Sequence, residues 1–323
     1  LKLQRDKASR GDLKLINTAL KEMRYSFRTF ASHPEPRVTV FGSARVPPTH
    51  PNALLAEAFA AEMARRGWGV ITGAGPGVME AGNRGAGLDH SFGVNIRLPF
   101  ELDANPYIAP ERNVNFKYFF TRKLTFVKES LAFALFPGGF GTLDETFELF
   151  TLMQTGKSDL HPIVLMEAKG GAYWSHLIQF MEDSLLANDL ISESDLDLFT
   201  VAGDPVKAAE TICGFYSNYH SQRYIDGRLV LRLMQVPTND EVEALSREFA
   251  DILVSGSIVP VQASPAELAD GDALDLQRLA LHFDRRQFGR LRMLIDRLNQ
   301  LSAPEGGFAM PAPFDEEQAE RPW

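Results

Sequence analysis

A glycine-rich segment between an apolar run and a helical pattern places the strongest constraint on how this chain can fold. The run Leu-Ala-Phe-Ala-Leu-Phe at 131–136 predicts a buried strand, and Pro-Gly-Gly-Phe-Gly-Thr-Leu-Asp-Glu follows it at 137–145. Apolar residues then recur at helical spacing. Glycines at such a turn let backbone N–H groups approach a ligand, and the N-terminus of a helix favours an anion. The segment therefore predicts an anion site at the end of a buried strand.

Short apolar runs alternate with helical patterns over most of the chain. Further strands are predicted near 37–42, 69–72, 92–96 and 162–166. This alternation predicts an α/β fold with a doubly wound, Rossmann-like parallel sheet. Ligands of such sheets bind at the carboxyl ends of the strands. Three glycine turns fall there, at Gly42-Ser43, from Gly73 to Gly77, and from Gly138 to Gly141.

The pattern divides the chain into four segments. A helical arm is predicted at 1–36 and the doubly wound domain at 37–220. The pattern restarts near Arg228, which predicts a small α+β accessory domain at 228–301. The tail at 302–323 is rich in proline, glycine and acidic residues, so we expect it to be disordered.

Composition excludes several classes of protein. The net charge of −9 argues against a nucleic-acid binder and against binding to an anionic membrane surface. A single cysteine, Cys213, rules out an internal disulfide, and the seven histidines form no metal-binding motif. No apolar run approaches the ~18 residues that span a membrane. The first residues lack the apolar stretch of a signal peptide, so the expectation is a cytoplasmic protein.

The second glycine turn, Gly-Ala-Gly-Pro-Gly-Val at 73–78, does not fit the dinucleotide fingerprint. Val78 stands where the third glycine should be, and the turn follows the second predicted strand rather than the first. A phosphate-binding turn for a mononucleotide is therefore favoured over a redox dinucleotide site. A tight turn that only packs a helix on a strand is the remaining alternative.

Two carboxylates, Asp144 and Glu145, follow the third glycine turn. Thr142 and Glu145 fit a capping box, with Thr142 as the N-cap residue. The upstream glycine turn and the expected cleft position favour a catalytic Glu145 instead, and Thr142 then offers its hydroxyl to a phosphate. Asp144 points roughly 100° away from Glu145 on a helix, so it is predicted to be a surface acid.

A basic pair, Arg122-Lys123, lies in an aromatic helical segment near 116–130. Such a pair is either solvated or holds an anion or a base ring against the aromatic residues. The planar guanidinium of Arg122 suits a phosphate or a departing base.

Together these motifs resemble the Lonely Guy (LOG) family, the cytokinin riboside 5′-monophosphate phosphoribohydrolases that are also labelled lysine decarboxylase-like. The resemblance covers about residues 37–220, and its pieces are the sequence from Gly73 to Ala81, Arg122-Lys123, and the P-G-G-x-G-T-x-x-E signature at 137–145. The decarboxylase label has no support in the residues, because no lysine stands out as a Schiff-base partner.

The resemblance implies hydrolysis of the N-glycosidic bond of a nucleoside 5′-monophosphate, either AMP or an N6-modified AMP, to the free base and ribose 5-phosphate. It implies that Arg122 and Glu145 are the catalytic pair, without metal or redox cofactor, in a homo-oligomer that is at least a dimer. The substrate-binding residues expected from the resemblance and the turns are Gly42, Ser43, Gly73, Gly75, Gly77, Glu80, Lys123, Gly138, Gly139, Gly141 and Thr142. The alternative is a non-catalytic nucleotide- or cofactor-binding carrier on the same fold.

Overall fold

The computed structural model describes residues 5, 7–96, 104–271 and 273–301. The chain divides into two compact units, with the boundary between Glu145 and Thr146. The predicted disordered tail at 302–323 lies outside the described residues. The four segments inferred from the sequence remain predictions.

Among the described residues of the first unit there are five strands and four complete α-helices, and a fifth α-helix begins there. The strands are β1 (Arg37–Phe41), β2 (Gly69–Thr72), β3 (Ser91–Ile96), β4 (Asn113–Phe116) and β5 (Ala132–Leu135). The helices are α1 (Arg10–Ala31), α2 (Pro51–Arg65), α3 (Val78–Ala86), α4 (Phe119–Glu129) and α5 (Phe140–Gln154).

The central strands of this unit are buried along their whole length. Every residue of β1, β2 and β5 is buried, as expected for parallel strands covered on both faces. Val38 of β1 lies in register with Val70 of β2 on one side and with Ala132 of β5 on the other. The carboxyl ends of β2, β1 and β5 therefore meet at one edge of the sheet.

The second unit contains a parallel strand pair and a separate antiparallel sheet. Strands β6 (Ile163–Met166) and β7 (Phe199–Ala202) are accompanied by helices α6 (Tyr173–Phe180) and α7 (Pro205–Phe215). The antiparallel sheet consists of β8 (Tyr219–Ile225), β9 (Arg228–Leu233), β10 (Leu253–Val261) and β11 (Gln277–Phe283) in the order β10-β11-β9-β8. Its helices are α8 (Asn239–Glu248), α9 (Pro265–Asp270) and α10 (Phe288–Leu301).

The strand order β4-β3-β2-β1-β5-β6-β7 confirms the predicted doubly wound parallel sheet. Strand β8 differs from the sequence prediction, which ended the doubly wound domain at 220 and restarted the pattern near Arg228. Tyr219, His220 and Ser221 begin β8 instead, and the polar side chains that follow hide the apolar alternation on which a strand prediction depends. None of the helices in the described ranges combines the length and apolar character needed to cross a bilayer.

Candidate active site

The three glycine turns meet at the carboxyl edge of the first unit's strands. The Ser43 backbone N–H donates to the Pro137 carbonyl at 3.1 Å. The Val78 N–H donates to the Ser43 carbonyl at 3.0 Å, so the turn after β1 bonds to the turns after β2 and β5. The convergence expected from the strand order is therefore present, and backbone hydrogen bonds hold it.

Some of the predicted glycines make this contact between turns possible. Gly77 has a φ of +71°, and a Cβ atom there would overlap with the Ser43 carbonyl. A Cβ at Gly42 would lie 2.6 Å from Cγ1 of Val78, and one at Gly138 would overlap with the Thr142 hydroxyl. At these three positions the lack of a side chain allows the turns to pack closely.

Gly139 and Gly141 have different surroundings. No atom lies within 4 Å of a Cβ built at either residue. The Gly139 carbonyl accepts the Leu143 N–H at 3.0 Å, so Gly139 caps the start of helix α5. The N-terminus of this helix therefore faces open space rather than packed side chains, which leaves room for an anion.

Gly73 makes room for Arg122. A Cβ on Gly73 would overlap with a terminal nitrogen of the Arg122 guanidinium and approach Sδ of Met79 to 2.8 Å. Arg122 Nε donates to the Val94 carbonyl at 2.9 Å, and the guanidinium carbon lies 5.2 Å from the centroid of the Phe126 ring. The guanidinium is thus held at the second glycine turn by contacts on several sides.

Asn105 ties down the second glycine turn and is absent from the sequence prediction. Its N–H donates to the Ala74 carbonyl at 2.9 Å, and its Nδ2 donates to the Gly75 carbonyl at 3.3 Å and to Oδ1 of Asn83 at 2.9 Å. The side chain of Met79 lies against Gly75, where a Cβ would approach Cε to 2.8 Å. Asn105 lies in a loop without periodicity, so no sequence pattern points to it.

Glu145 is buried beside Lys123. The residue is 8% exposed, and its Oε2 lies 3.6 Å from the Lys123 ammonium. Asp144 Oδ2 lies 3.0 Å from the same ammonium, although the Asp144 side chain is 62% exposed. Lys123, predicted to bind substrate, therefore neutralises two neighbouring carboxylates in this structure.

The capping-box interpretation of Thr142 and Glu145 is wrong. Helix α5 begins at Phe140 and its cap is Gly139, so Thr142 lies inside the first turn. Glu145 is the sixth residue of this helix, beyond the third position that the acid of a capping box occupies. Its position is therefore not explained by helix capping.

Helix α1, in the predicted arm, supports the helix that carries Arg122 and Lys123. Glu22 accepts the Lys117 N–H at 2.8 Å and the Thr121 hydroxyl at 2.7 Å. The Ser26 hydroxyl donates to Oγ1 of Thr125 at 3.3 Å. The sequence prediction missed this support. One signal in the sequence could have indicated it. The buried residues of α1 recur at helical spacing, and one of them, Glu22, is an acid; the others are Ser26, Thr29 and Phe30.

Exposed phenylalanines surround this region of the first unit. Phe140 is 93% exposed at the start of α5, and Phe119 and Phe120 are 51% and 53% exposed at the start of α4. Glu80 is half-buried in the first turn of α3, and no hydrogen bond or ion pair within the described ranges joins it to the other predicted residues. Among the described residues, no group of three His, Cys, Asp or Glu side chains is placed to hold a metal ion.

Comparison with known families supports the resemblance seen in the sequence. Residues 73–212 match the family model described as possible lysine decarboxylase. This range contains the second glycine turn, the basic pair and the signature at 137–145. The resemblance to the Lonely Guy family is thereby confirmed.

Two curated relatives from rice (Oryza sativa subsp. japonica) are similar over part of the chain. Both are named probable cytokinin riboside 5′-monophosphate phosphoribohydrolases. LOGL6 is 32% identical over 28% of this chain and 35% of its own length. LOGL2 is 28% identical over 38% of this chain and 48% of its own length. The chain thus matches less than half of each relative.

A solved structure, the molybdenum cofactor binding protein of the phototrophic bacterium Rippkaea orientalis, also aligns with this chain. It is 22% identical, with a TM-score of 0.37, over 56% of this chain and 96% of that protein. The fold assignment here rests on the strand order, because a similarity at this score carries no functional argument.

Proposed function

We propose, from the Lonely Guy family domain matched at residues 73–212, that this chain hydrolyses the N-glycosidic bond of a nucleoside 5′-monophosphate. The products are the free base and ribose 5-phosphate, and the candidate substrates are AMP and N6-modified AMP. The names of the two rice relatives support this class of substrate. The observation that carries the proposal is the buried Glu145 carboxylate, which lies beside Lys123 and directly follows the third glycine turn.

Glu145 is assigned the role of the catalytic carboxylate. Cleavage of the glycosidic bond builds positive charge at C1′ of the ribose, and a carboxylate stabilises that charge or activates the attacking water. The Lys123 ammonium lies 3.6 Å from Oε2 and is placed to offset the negative charge of this carboxylate. The burial of Glu145 shields the carboxylate from water, as a group acting at C1′ requires.

Arg122 is assigned to orienting the substrate or stabilising the departing base. Its hydrogen bond to the Val94 carbonyl and its contact with Gly73 fix the guanidinium before any ligand arrives. A fixed donor loses less conformational freedom on binding and costs less reorganisation in the reaction.

The 5′-phosphate is assigned to the N-terminus of helix α5. Gly139 and Gly141 face open space there, and the Thr142 hydroxyl and the Ser43 turn lie next to them. A phosphate near Asp144 and Glu145 is repelled by both acids, and Lys123 offsets that repulsion because its ammonium lies beside both carboxylates. Phosphate binding then supplies the positioning for the reaction at C1′.

The test is release of free base from AMP and from an N6-substituted AMP, without added metal, measured by chromatography. Glu145→Gln is expected to bind nucleotide and to lose at least ~100-fold in turnover, the scale of one acid–base group. Asp144→Asn is the matched control, since Asp144 pairs with the same lysine but is largely exposed. Equal rates for wild type and Glu145→Gln would show that the Glu145 carboxylate takes no part in the reaction. Nucleotide binding without release of base from either substrate would favour the carrier alternative.

We also propose that the chain forms a homo-oligomer, at least a dimer. The exposed Phe119, Phe120 and Phe140 support this proposal, because a second copy covering them would remove apolar surface from water. Light scattering at micromolar concentration tests it, and a monomer there would contradict it.

A further inference from the structure

A crevice in the second unit is lined by two adjacent arginines, Arg285 and Arg286, and by polar residues that include Thr155, Asp189 and Ser192. We infer that this crevice binds the diphosphate group of a nucleotide. None of its residues belongs to the glycine turns or to the basic pair of the proposed active site. The inference therefore adds a second ligand site to the chain.

Two close contacts at glycines lie next to the residues that line the crevice. Gly156, directly after Thr155, has a φ of +65°, and a Cβ there would overlap with the Phe288 ring. A Cβ on Gly289 would overlap with the Ser194 carbonyl. Helix α10 therefore packs directly against the segment after α5 on one side and against the turn at 193–198 on the other. This close packing limits the movement of the elements beside the crevice.

Arg285 is held in an uncommon conformation. Its φ of +61° lies in the left-handed region, which non-glycine residues rarely adopt. Asp284 Oδ1 accepts the Arg286 N–H at 2.9 Å and the Gln287 N–H at 3.3 Å, so the turn that contains both arginines is fixed. The Arg285 guanidinium lies over the Tyr224 ring, 4.2 Å from its centroid, which leaves its N–H edge available to a ligand.

Within the described part of the chain, neither of these arginines forms an ion pair. Asp195, an acid lining the same crevice, accepts Gln154 Nε2 at 2.7 Å and the Ser192 N–H at 2.8 Å. The negative charge of Asp195 is therefore stabilised by hydrogen bonds from neutral donors of the protein. In a chain with a net charge of −9, two adjacent guanidinium groups without a carboxylate partner provide a local site for an anion.

The lining residues favour a nucleotide over a simple anion. Two neighbouring guanidinium groups match the several oxygens of a diphosphate, because each presents a planar fork of donors. Asp189 contributes an exposed carboxylate to the same crevice. A carboxylate disfavours a bare phosphate but accepts hydrogen bonds from sugar hydroxyls or an amino group. A diphosphate joined to a nucleoside satisfies both kinds of group.

Calorimetry on the full chain tests the site with two probes, inorganic pyrophosphate and ADP. The variant Arg285→Gln/Arg286→Gln is expected to bind each probe at this site at least tenfold more weakly than wild type. Arg247→Gln is the matched control, because Arg247 on helix α8 is an exposed arginine outside the crevice and its variant is expected to bind like wild type. Asp189→Asn is expected to weaken ADP binding while pyrophosphate binding is kept or improved.

The outcomes separate this site from the proposed active site. Binding that is unchanged in the double variant but lost in Arg122→Gln would place the probes at the glycine turns and overturn the inference. Failure of wild type to bind either probe would overturn it as well. Equal affinity for ADP and pyrophosphate would overturn the inference that the crevice recognises a nucleoside joined to the diphosphate. No turnover is measured, so a chain without hydrolase activity can still pass this test.

Discussion

The carboxylate of Glu22 accepts the hydroxyl of Thr121 at 2.7 Å, one residue before Arg122 in the chain. The same carboxylate accepts the Lys117 N–H at 2.8 Å, just before helix α4 begins. Glu22 is 9% exposed, and it lies outside the range matched by the family model. A residue of the predicted arm therefore fixes the first turn of the helix that carries the proposed catalytic arginine.

Glu22→Gln is expected to lower the free energy of unfolding by about 2 kcal/mol, the scale of losing hydrogen bonds to a charged group. Turnover is expected to fall as well, because the first turn of α4 positions Arg122. Denaturant titration and nucleotide hydrolysis measure the two effects. Lys21→Gln is the control on the same helix, since Lys21 is exposed. A Glu22 variant with wild-type stability and rate would show that the arm does not position this helix.

Gly73→Ala is expected to reduce turnover at least tenfold while the fold is retained. The added methyl group overlaps with the Arg122 guanidinium, so that side chain must move away from the second glycine turn. Hydrolysis kinetics together with circular dichroism measure the outcome. Gly214→Ala is a control in helix α7, where a Cβ meets no atom within 4 Å. Wild-type kinetics for Gly73→Ala would show that turnover does not depend on the fixed position of the Arg122 guanidinium.

His161 is expected to make the second unit sensitive to mild acid. Burial lowers the pKa of His161 from 6.5 to about 4, against a smaller opposite effect of Asp159, and Nδ1 lies 3.0 Å from the Tyr216 hydroxyl. Between these pH values the unfolded chain binds a proton that the folded chain does not. The contribution of His161 to the free energy of unfolding is therefore fully present above pH 6.5. It falls as the pH falls toward 4, by about 1.4 kcal/mol per pH unit at most.

Denaturant titrations at several pH values measure this dependence. His161→Gln removes the titrating ring, so its stability is expected to change less between pH 4 and 6.5 than that of wild type. His282→Gln is the control, because His282 is an exposed residue of the same unit. Identical slopes for wild type and His161→Gln would assign the acid sensitivity to other groups.

Glu267 is expected to be among the most sensitive positions of the antiparallel-sheet region. The residue is 1% exposed, and Oε1 accepts Arg232 at 2.8 Å and Arg278 at 3.2 Å. Burial raises its pKa, but hydrogen bonds from Ser264, Arg232 and Arg278 outweigh burial and hold the pKa at about 2. Glu267→Gln leaves the two buried arginines without their shared anion, so a loss of about 3–5 kcal/mol is expected.

Thermal and denaturant unfolding measure the effect of Glu267→Gln. Glu243→Gln on helix α8 is the control, because the Glu243 side chain is 73% exposed and surface changes fall within about 0.5 kcal/mol. A loss below about 1 kcal/mol at Glu267 would show that the cluster contributes little. A pH titration separates this acid from His161, since its contribution is lost only as the pH falls from 4.5 toward 2.

Sequence reasoning succeeded where one local pattern decides the structure. The buried strands appear in the sequence as short apolar runs followed by glycine turns, so the parallel sheet and the edge at which the turns meet were predictable. Strand β8 was missed because its polar residues, such as Ser221, interrupt the apolar alternation. Asn105 and Glu22 were missed because their partners lie far along the chain, as the separation of Glu22 from Thr121 illustrates.

The sequence by itself determined the class of fold, the edge of the sheet at which the glycine turns meet, and the resemblance to a known family, part of which the family model matches at 73–212. These depend on periodicity and on short motifs, which are properties of neighbouring residues. Only the tertiary structure decided that Gly73 makes room for Arg122, that Lys123 is shared by Asp144 and Glu145, and that Gly139 rather than Thr142 caps helix α5. Such contacts are set by the close packing of elements distant in the chain, and no local pattern encodes them.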